Sequence, residues 1–251
     1  MTGPLYDFLA AKEKPLARKL SAFVALSEVE LSALQAFHQR RRSFDLGEEL
    51  LLQGQLGRTA YVLADGWACS YILLPNGSRQ IVDFQVPGDF LGLRSILFRS
   101  SDQSVKAMTK VEVYEVSIDD LIGAFASLPR LATSVLWAVW RDEAMVVEHL
   151  VNVARRSAVE RTAHFMLELG ARLTLVGLGT KEAFICPLSQ YALADALGLT
   201  AVHLNRVLRE LREQRLLTFR GGQVTIQNFE GLVRLAAFDT AYLDQDGPLL
   251  R

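Results

Sequence analysis

Cysteine, histidine and net charge are all scarce in this chain, and each shortage removes a class of function. Only Cys69 and Cys186 occur among 251 residues. They stand far apart in no metal-like or redox-like spacing, which excludes a disulfide framework and fits a reducing compartment. Both read as ordinary buried thiols. The four histidines, at 38, 149, 164 and 203, are scattered without ligand spacing, so no metal site is expected. Lysine and arginine number 27 against 28 acids, for a formal net charge of −1. Such a molecule has no global field to gather a polyanion, and any nucleic-acid surface must be local. Long apolar runs are missing too. Val135–Trp140 falls far short of the roughly 20 residues that cross a bilayer. Met1–Pro15 mixes Asp7, Lys12, Glu13 and Lys14 into a segment with no signal-peptide core. The expectation is a soluble cytoplasmic protein with no membrane role. Gly-x-Ser-x-Gly, His-Glu-x-x-His and Walker motifs are absent, and Gly177-Leu178-Gly179 lacks the third glycine of a dinucleotide fingerprint. Neither an enzyme nor a cofactor is expected.

What is present is a change of texture along the chain. Leu16, Leu20, Phe23, Leu26, Leu31, Leu34 and Phe37 recur at three- or four-residue spacing, with Ser27 ahead of Glu28 and Glu30 as a cap, which predicts short helices. From Ser43 to Val116 short apolar runs such as Tyr61-Val62-Leu63 and Gln80–Phe84 are broken by Gly47, Gly54, Gly57, Asp65-Gly66, Pro75-Asn76-Gly77 and Pro87-Gly88-Asp89. Turn signals this dense predict short antiparallel strands closing a small barrel or sandwich. The glycines then thin out, and Leu128 through Arg161 reads as one helix. At 1.5 Å per residue it is roughly 45 to 50 Å long, more than a small domain needs for itself, so it is expected to pack on a partner. Leu131, Val135, Ala138, Asp142, Met145, His149 and Asn152 approximate a 3-4 seam, with too many polar members for a regular coiled coil.

The most informative segment begins at Cys186. A helical stretch Val159–Leu173 and a glycine-rich connection Thr174–Lys181 precede it. Ser189 caps an apolar-periodic helix, Tyr191–Leu197, that stops at Gly198, and Thr200 caps a second helix from Ala201 to about Gln214. Two helices joined by so short a glycine-containing turn form a helix-turn-helix. Leu216–Phe219, Gly221-Gly222 and Gln223–Ile226 then make a tight hairpin, a wing. Between Leu199 and Gln223 lie five arginines, at 206, 209, 212, 215 and 220, against Glu210 and Glu213. Leu204, Val207, Leu208 and Leu211 form the inward stripe of the second helix, leaving Ala201, Val202, His203, Asn205, Arg206 and Arg209 for a groove or phosphates. Arginine pairs bidentately with guanine, asparagine with adenine, and short apolar groups meet a thymine methyl. The bland alternative is a merely solvated basic face. The cap, turn, glycine, helix and wing in register weigh against it. His203 reads either as a base or phosphate contact or as a surface histidine. Arg155 and Arg156 read as hinge residues or as plain surface charges.

From about Leu16 to Ala236 the chain resembles the CRP/FNR family of bacterial transcription regulators. The carriers are Gly47-Glu48 with Gly54, Asp65-Gly66, Pro87-Gly88-Asp89-Phe90-Leu91-Gly92, and above all Leu197-Gly198-Leu199-Thr200 through Asn205-Arg206-Val207-Leu208 to Leu217. The resemblance implies an α+β architecture. A jelly-roll-like, cyclic-nucleotide-binding-like β-barrel (a double-stranded β-helix) comes first, then a dimerisation helix, then a winged helix-turn-helix. The expected bounds are 1–125 for the sensor barrel with its N-terminal helices, 126–158 for the dimerisation helix, 159–238 for the DNA-binding domain and 239–251 for a tail. The family's base-reading positions fall on Ala201, Val202 and Arg206, which makes Arg206 the candidate guanine contact. Ser189 and Thr200 become phosphate-positioning candidates. Family members that bind cyclic AMP hold its ribose with a Glu where this chain has Leu93, and its phosphate with an Arg-Ser pair where it has Ser101-Asp102-Gln103. An acid there repels the phosphate. The oxygen-sensing branch holds an iron-sulfur centre on a cysteine cluster that this chain lacks. Arg94 and Arg99 lie near that cassette as anion candidates or plain surface charges.

The expected function is therefore a homodimeric regulator of double-stranded DNA whose effector is unknown and not cyclic AMP, with RNA polymerase as a candidate partner. The competing reading keeps the barrel as a small-ligand module acting through protein–protein contact.

Overall fold

The computed structural model describes residues 14–56 and 59–243. Gly57 and nearly all of Met1–Pro15 lie outside them, as do residues 244–251 of the expected tail. The described chain divides into two compact units. One holds the chain up to Arg141 apart from Gln80–Val82, and the other holds that stretch and everything from Asp142.

The first unit is built on two four-stranded sheets. β1 (Arg41–Phe44), β8 (Val111–Val116), β3 (Ala60–Asp65) and β6 (Phe90–Leu91) lie in that order in one. β2 (Glu49–Leu51), β7 (Ser104–Ala107), β4 (Ala68–Leu73) and β5 (Arg79–Gln85) make the other. The β1–β8, β8–β3, β3–β6, β2–β7 and β7–β4 pairs are antiparallel. Strand alternation supplies the filling. Val111 and Val113 of β8 turn inward and join Leu50, Leu51, Tyr61, Leu63, Leu91 and Val105 in one core, so the two sheets close as a jelly roll. Asp65-Gly66 makes one of the expected turns. Gly66 has φ +82°, and a Cβ there would lie 2.2 Å from the Lys110 carbonyl oxygen.

Helices cover one end of this barrel. α1 (Pro15–Ser21) starts on proline, and α2 (Glu28–Ala36) starts on a full capping box in which Ser27 and Glu30 serve each other's backbone. Leu16, Leu20, Leu31, Leu34 and Phe37 form a second core with Val116. Lys19 of α1 is buried with its Nζ 2.8 Å from Asp89 Oδ1, while Asp89 Oδ2 accepts from the Val86 amide at 2.9 Å. The carboxylate thus shapes the Pro87-Gly88-Asp89 turn and pins α1 to it. The short α3 (Leu93–Leu97) follows β6, and α4 (Ile118–Ser127) leads from β8 into α5 (Pro129–Arg155).

Two expectations for the long helix are corrected here. It does not run to Arg161 but stops at Arg155, because Ser157 caps a new helix, α6 (Ala158–Leu175), in a capping box with Glu160. The Ser-x-x-Glu signature was there to be read, and an unbroken apolar periodicity concealed it. The expected seam is also not free for a partner. Leu131, Val135 and Ala138 belong to the core that α1 and α2 build, and Met145 and Asn152 are buried too. The exposed apolar stripe is another one, Leu136, Trp140, Val147 and Leu150.

In the second unit α6 is followed by β9 (Ala183–Ile185), α7 (Gln190–Ala196), α8 (Ala201–Glu213), β10 (Leu217–Arg220), β11 (Gln223–Ile226), α9 (Phe229–Ala236) and a 3-10 turn at Ala241–Leu243. The expected wing hairpin pairs Leu217–Arg220 with Gln223–Ile226 across Gly221 and Gly222, both at positive φ, and β9 adds a third strand beside β11. Residues at the start of the expected tail are packed rather than loose. Tyr242 donates to Glu168 Oε2 at 2.7 Å and stacks on His164, and Phe238 meets the same imidazole edge-on at 4.9 Å.

Candidate nucleic-acid interface

The reader is mounted by apolar residues on one face and left bare on the other. α8 buries Leu204, Val207, Leu208 and Leu211 and exposes Val202, Asn205, Arg206 and Arg209, with Ala201 and His203 partly covered. Spacings of three and four residues place Val202, Arg206 and Arg209 along one stripe. Ser189 Oγ accepts from the Ala192 amide at 3.1 Å and Thr200 Oγ1 from the His203 amide at 3.2 Å. As caps, both hydroxyls keep their own protons for an outside acceptor, at helix ends where amides and dipole favour an anion. All eight residues singled out in the sequence thus lie at the N-terminus of α7 or on α8. Gly198 at φ +61° makes the turn between these helices, with the Leu199 amide reaching back to the Ala194 carbonyl at 2.8 Å.

One exposed group escaped the sequence reading. Tyr191, in the first turn of α7, is 79% exposed, and Val202 on α8 is 70% exposed. Val202 stands in water on the stripe that carries Arg206 and Arg209. A tyrosine at an apolar-periodic position reads as core; only its place in the first helical turn hinted otherwise.

Comparison with known proteins settles the family. The Crp-like helix-turn-helix domain matches residues 160–235, and the cyclic nucleotide-binding domain matches residues 41–127. The nitrogen fixation regulation protein FixK of Bradyrhizobium diazoefficiens is 29% identical over 214 residues, 84% of this chain and 89% of FixK. The fumarate and nitrate reduction regulatory protein of Vibrio cholerae is 26% identical over 211 residues, 84% of each chain. The structure of FixK2 from Bradyrhizobium japonicum superposes with a TM-score of 0.70 at 28% identity, covering 79% of this chain and 98% of that one. This chain belongs to the CRP/FNR family. It is a DNA-binding transcription regulator, and its jelly-roll barrel and winged helix-turn-helix are those of the family.

One hollow of the barrel bears on the ligand that names the domain. The hollow lined by Leu51, Gln55, Thr59, Ser95 and Ser101 leaves about 10 Å³ of room, enough for one water. Its two serine hydroxyls are already engaged. Ser95 Oγ donates within reach of the Thr59 and Gly92 carbonyls, at 2.9 and 2.6 Å, and Ser101 Oγ donates to the Gln103 carbonyl at 2.6 Å. Arg94, a candidate for an anion, pairs with Asp102 at 3.1 Å. A cyclic nucleotide does not fit these residues. An iron-sulfur centre fits no better. Cys69 and Cys186 are both fully buried, and burial pushes the Cys186 thiol up to about 11, so it stays protonated.

The histidines are core or surface residues. Burial, with Lys14 close by, pushes His38 down to about 4, and burial with Arg156 and His149 nearby does the same to His164. Asn152 Oδ1 accepts from Arg156 at 2.7 Å, which turns its amide nitrogen to His164 Nδ1 at 3.0 Å. Nδ1 must therefore be unprotonated. Arg156 also reaches Glu148 Oε2 at 3.0 Å. It belongs to a half-buried polar network with Glu148 and Asn152, and the plain-surface reading of Arg156 is corrected.

Proposed function

We propose that the regulator acts as a homodimer that sets its two α8 helices into successive major grooves of a near-palindromic operator. The observation that carries this is the exposed, basic, apolar-tipped face of α8 on a fully formed wing-and-turn scaffold. On it Arg206 reads a guanine, Asn205 is placed to read an adenine, and Val202 and Ala201 meet thymine methyls. Ser189 and Thr200 position phosphates, and Arg209 and His203 flank the groove. The dimer reading is supported by α5, whose outer face leaves Leu136, Trp140, Val147 and Leu150 in water at intervals of four, seven and three. That is near-heptad spacing on a helix of 27 residues. The barrel works without a cyclic nucleotide, and RNA polymerase remains the partner through which bound operator would be read out.

The test is a mass measurement at micromolar concentration, free and on duplex, with a salt titration. Two chains per duplex and an affinity that falls linearly with log salt are expected. A monomer, or salt-independent binding, contradicts the reading and favours the protein-contact alternative.

A further inference from the structure

One guanidinium sits where two helices of the second unit end. Arg161, in the first turn of α6, donates from Nη1 to the Leu197 carbonyl at 3.0 Å and to the Val153 carbonyl at 3.4 Å. Val153 lies in the last turn of α5, where carbonyls have no partner inside the helix. Leu197 is the C-cap of α7, immediately before the turn that launches α8. Around it the glycine turn satisfies other ends, with Gly198 N–H on Asp195 and Leu199 N–H on Ala194, and it leaves the Leu197 oxygen for Arg161. A Cβ on Gly198 would stand 3.7 Å from Arg161 Nη1, so the guanidinium lies directly beneath that turn. Each helix end also carries the negative pole of its dipole, and a cation shared by two such poles is held by both.

The chemistry of this contact exceeds that of a fastener on the fold. α5 carries the exposed apolar stripe and α7–α8 carry the reader. Arg161 is a polar cross-link between the last turn of the first and the turn of the second. Carbonyl oxygens at helix ends give direction as well as strength, because donors must approach near the C=O plane. The two N–H bonds of Nη1 lie in the guanidinium plane at a fixed angle, so the carbonyls that they meet are held in one relative direction, which a methylene surface does not do.

We propose that Arg161 is a positioning residue for operator binding, which sets the angle at which the reading helix is carried by α5 and so the half-site spacing that the dimer accepts. The proposal rests on the dimeric reading given above. In a two-fold complex, half-sites one helical turn apart are met only if both readers are held at one angle. Inserting one base pair moves a half-site by about 3.4 Å and rotates it by about 35°.

The experiment uses the full-length protein and duplexes in which two half-sites are separated by the native spacing or by one base pair more or fewer. Arg161→Gln removes the charge and the long planar donor group, and Arg161→Lys keeps the charge on a compact ammonium whose three donors rotate freely. Wild type is expected to lose about tenfold or more in affinity on either shift, Arg161→Gln less than about threefold, and Arg161→Lys an intermediate amount. Affinity for a single half-site stays within about twofold of wild type in both variants, because the reading face is untouched. A wild-type optimum reproduced unchanged by both variants overturns this proposal alone. A wild type with no spacing optimum overturns the dimeric reading and this proposal with it. Should Arg161→Gln fail to fold, Arg161→Lys is read by itself, and unfolding of both assigns Arg161 to the fold only and overturns the proposal.

Discussion

The exposed face of α7–α8 and the hollow of the barrel treat their polar groups in opposite ways. On the reader, Ser189 and Thr200 accept from backbone and keep their protons, while Asn205, Arg206 and Arg209 stand in solvent. In the barrel, Ser95 and Ser101 donate to backbone carbonyls, Arg94 is paired, and the hollow beside them holds little more than a water. The same argument applied to both shows that a family fold carries a family ligand only where its polar groups are left uncommitted. Among the described residues the reader meets that condition and this hollow of the barrel does not.

The difference can be broken first at the barrel's buried ion pair. Lys19→Met strips Asp89 of its cation inside the first unit. It should cost about 3 to 5 kcal/mol, because removing one member of a buried ion pair leaves the other's charge undercompensated. Urea unfolding checks this, and a loss under about 1 kcal/mol would show that water or another group takes over the carboxylate.

In the second unit acid is the lever. His164 has a folded-state pKa depressed to about 4 against an ordinary 6.5. The unfolded chain therefore binds the proton that the folded chain refuses. Stability is whole above about pH 6.5 and is lost as pH falls towards 4, by up to about 3 kcal/mol. Thermal unfolding across that window should show the fall, and His164→Gln should flatten it. His38, also pushed down to about 4, imposes the same slope on the first unit.

Arg206→Ala should lower specific affinity by roughly 1 to 3 kcal/mol and relax one base pair per half-site, with non-specific binding little changed. Equal discrimination by variant and wild type would remove Arg206 from base reading. Tyr242→Phe deletes the bond to Glu168 and should cost about 1 to 2 kcal/mol in the second unit alone. Denaturant unfolding decides whether this C-terminal segment is part of the fold. At the low end, millimolar cyclic AMP should leave the melting temperature and operator affinity of the whole protein unmoved.

How much of this was legible in the sequence depended on what each residue had to do. The turn at Gly198, the caps Ser189 and Thr200 and the Gly221-Gly222 hairpin are local devices, and their spacing alone located the reader. The strand region was equally plain from its glycines. The exposed apolar stripe of α5 was not. Leu131, Val135 and Leu136, Trp140 are similar residues, and only tertiary packing decides which set is covered. Arg161 and Arg156 were hidden for a related reason. A cation in an amphipathic helix looks solvated until the carbonyls or carboxylates that it meets are brought from 36 and 8 residues away.

The most direct test is selection of bound duplexes from a random pool by the purified protein, with no small molecule added, repeated with cyclic nucleotides present. The account predicts one enriched near-palindromic motif, identical in both selections. No enriched motif at low salt, or a motif that emerges only with nucleotide, would contradict it.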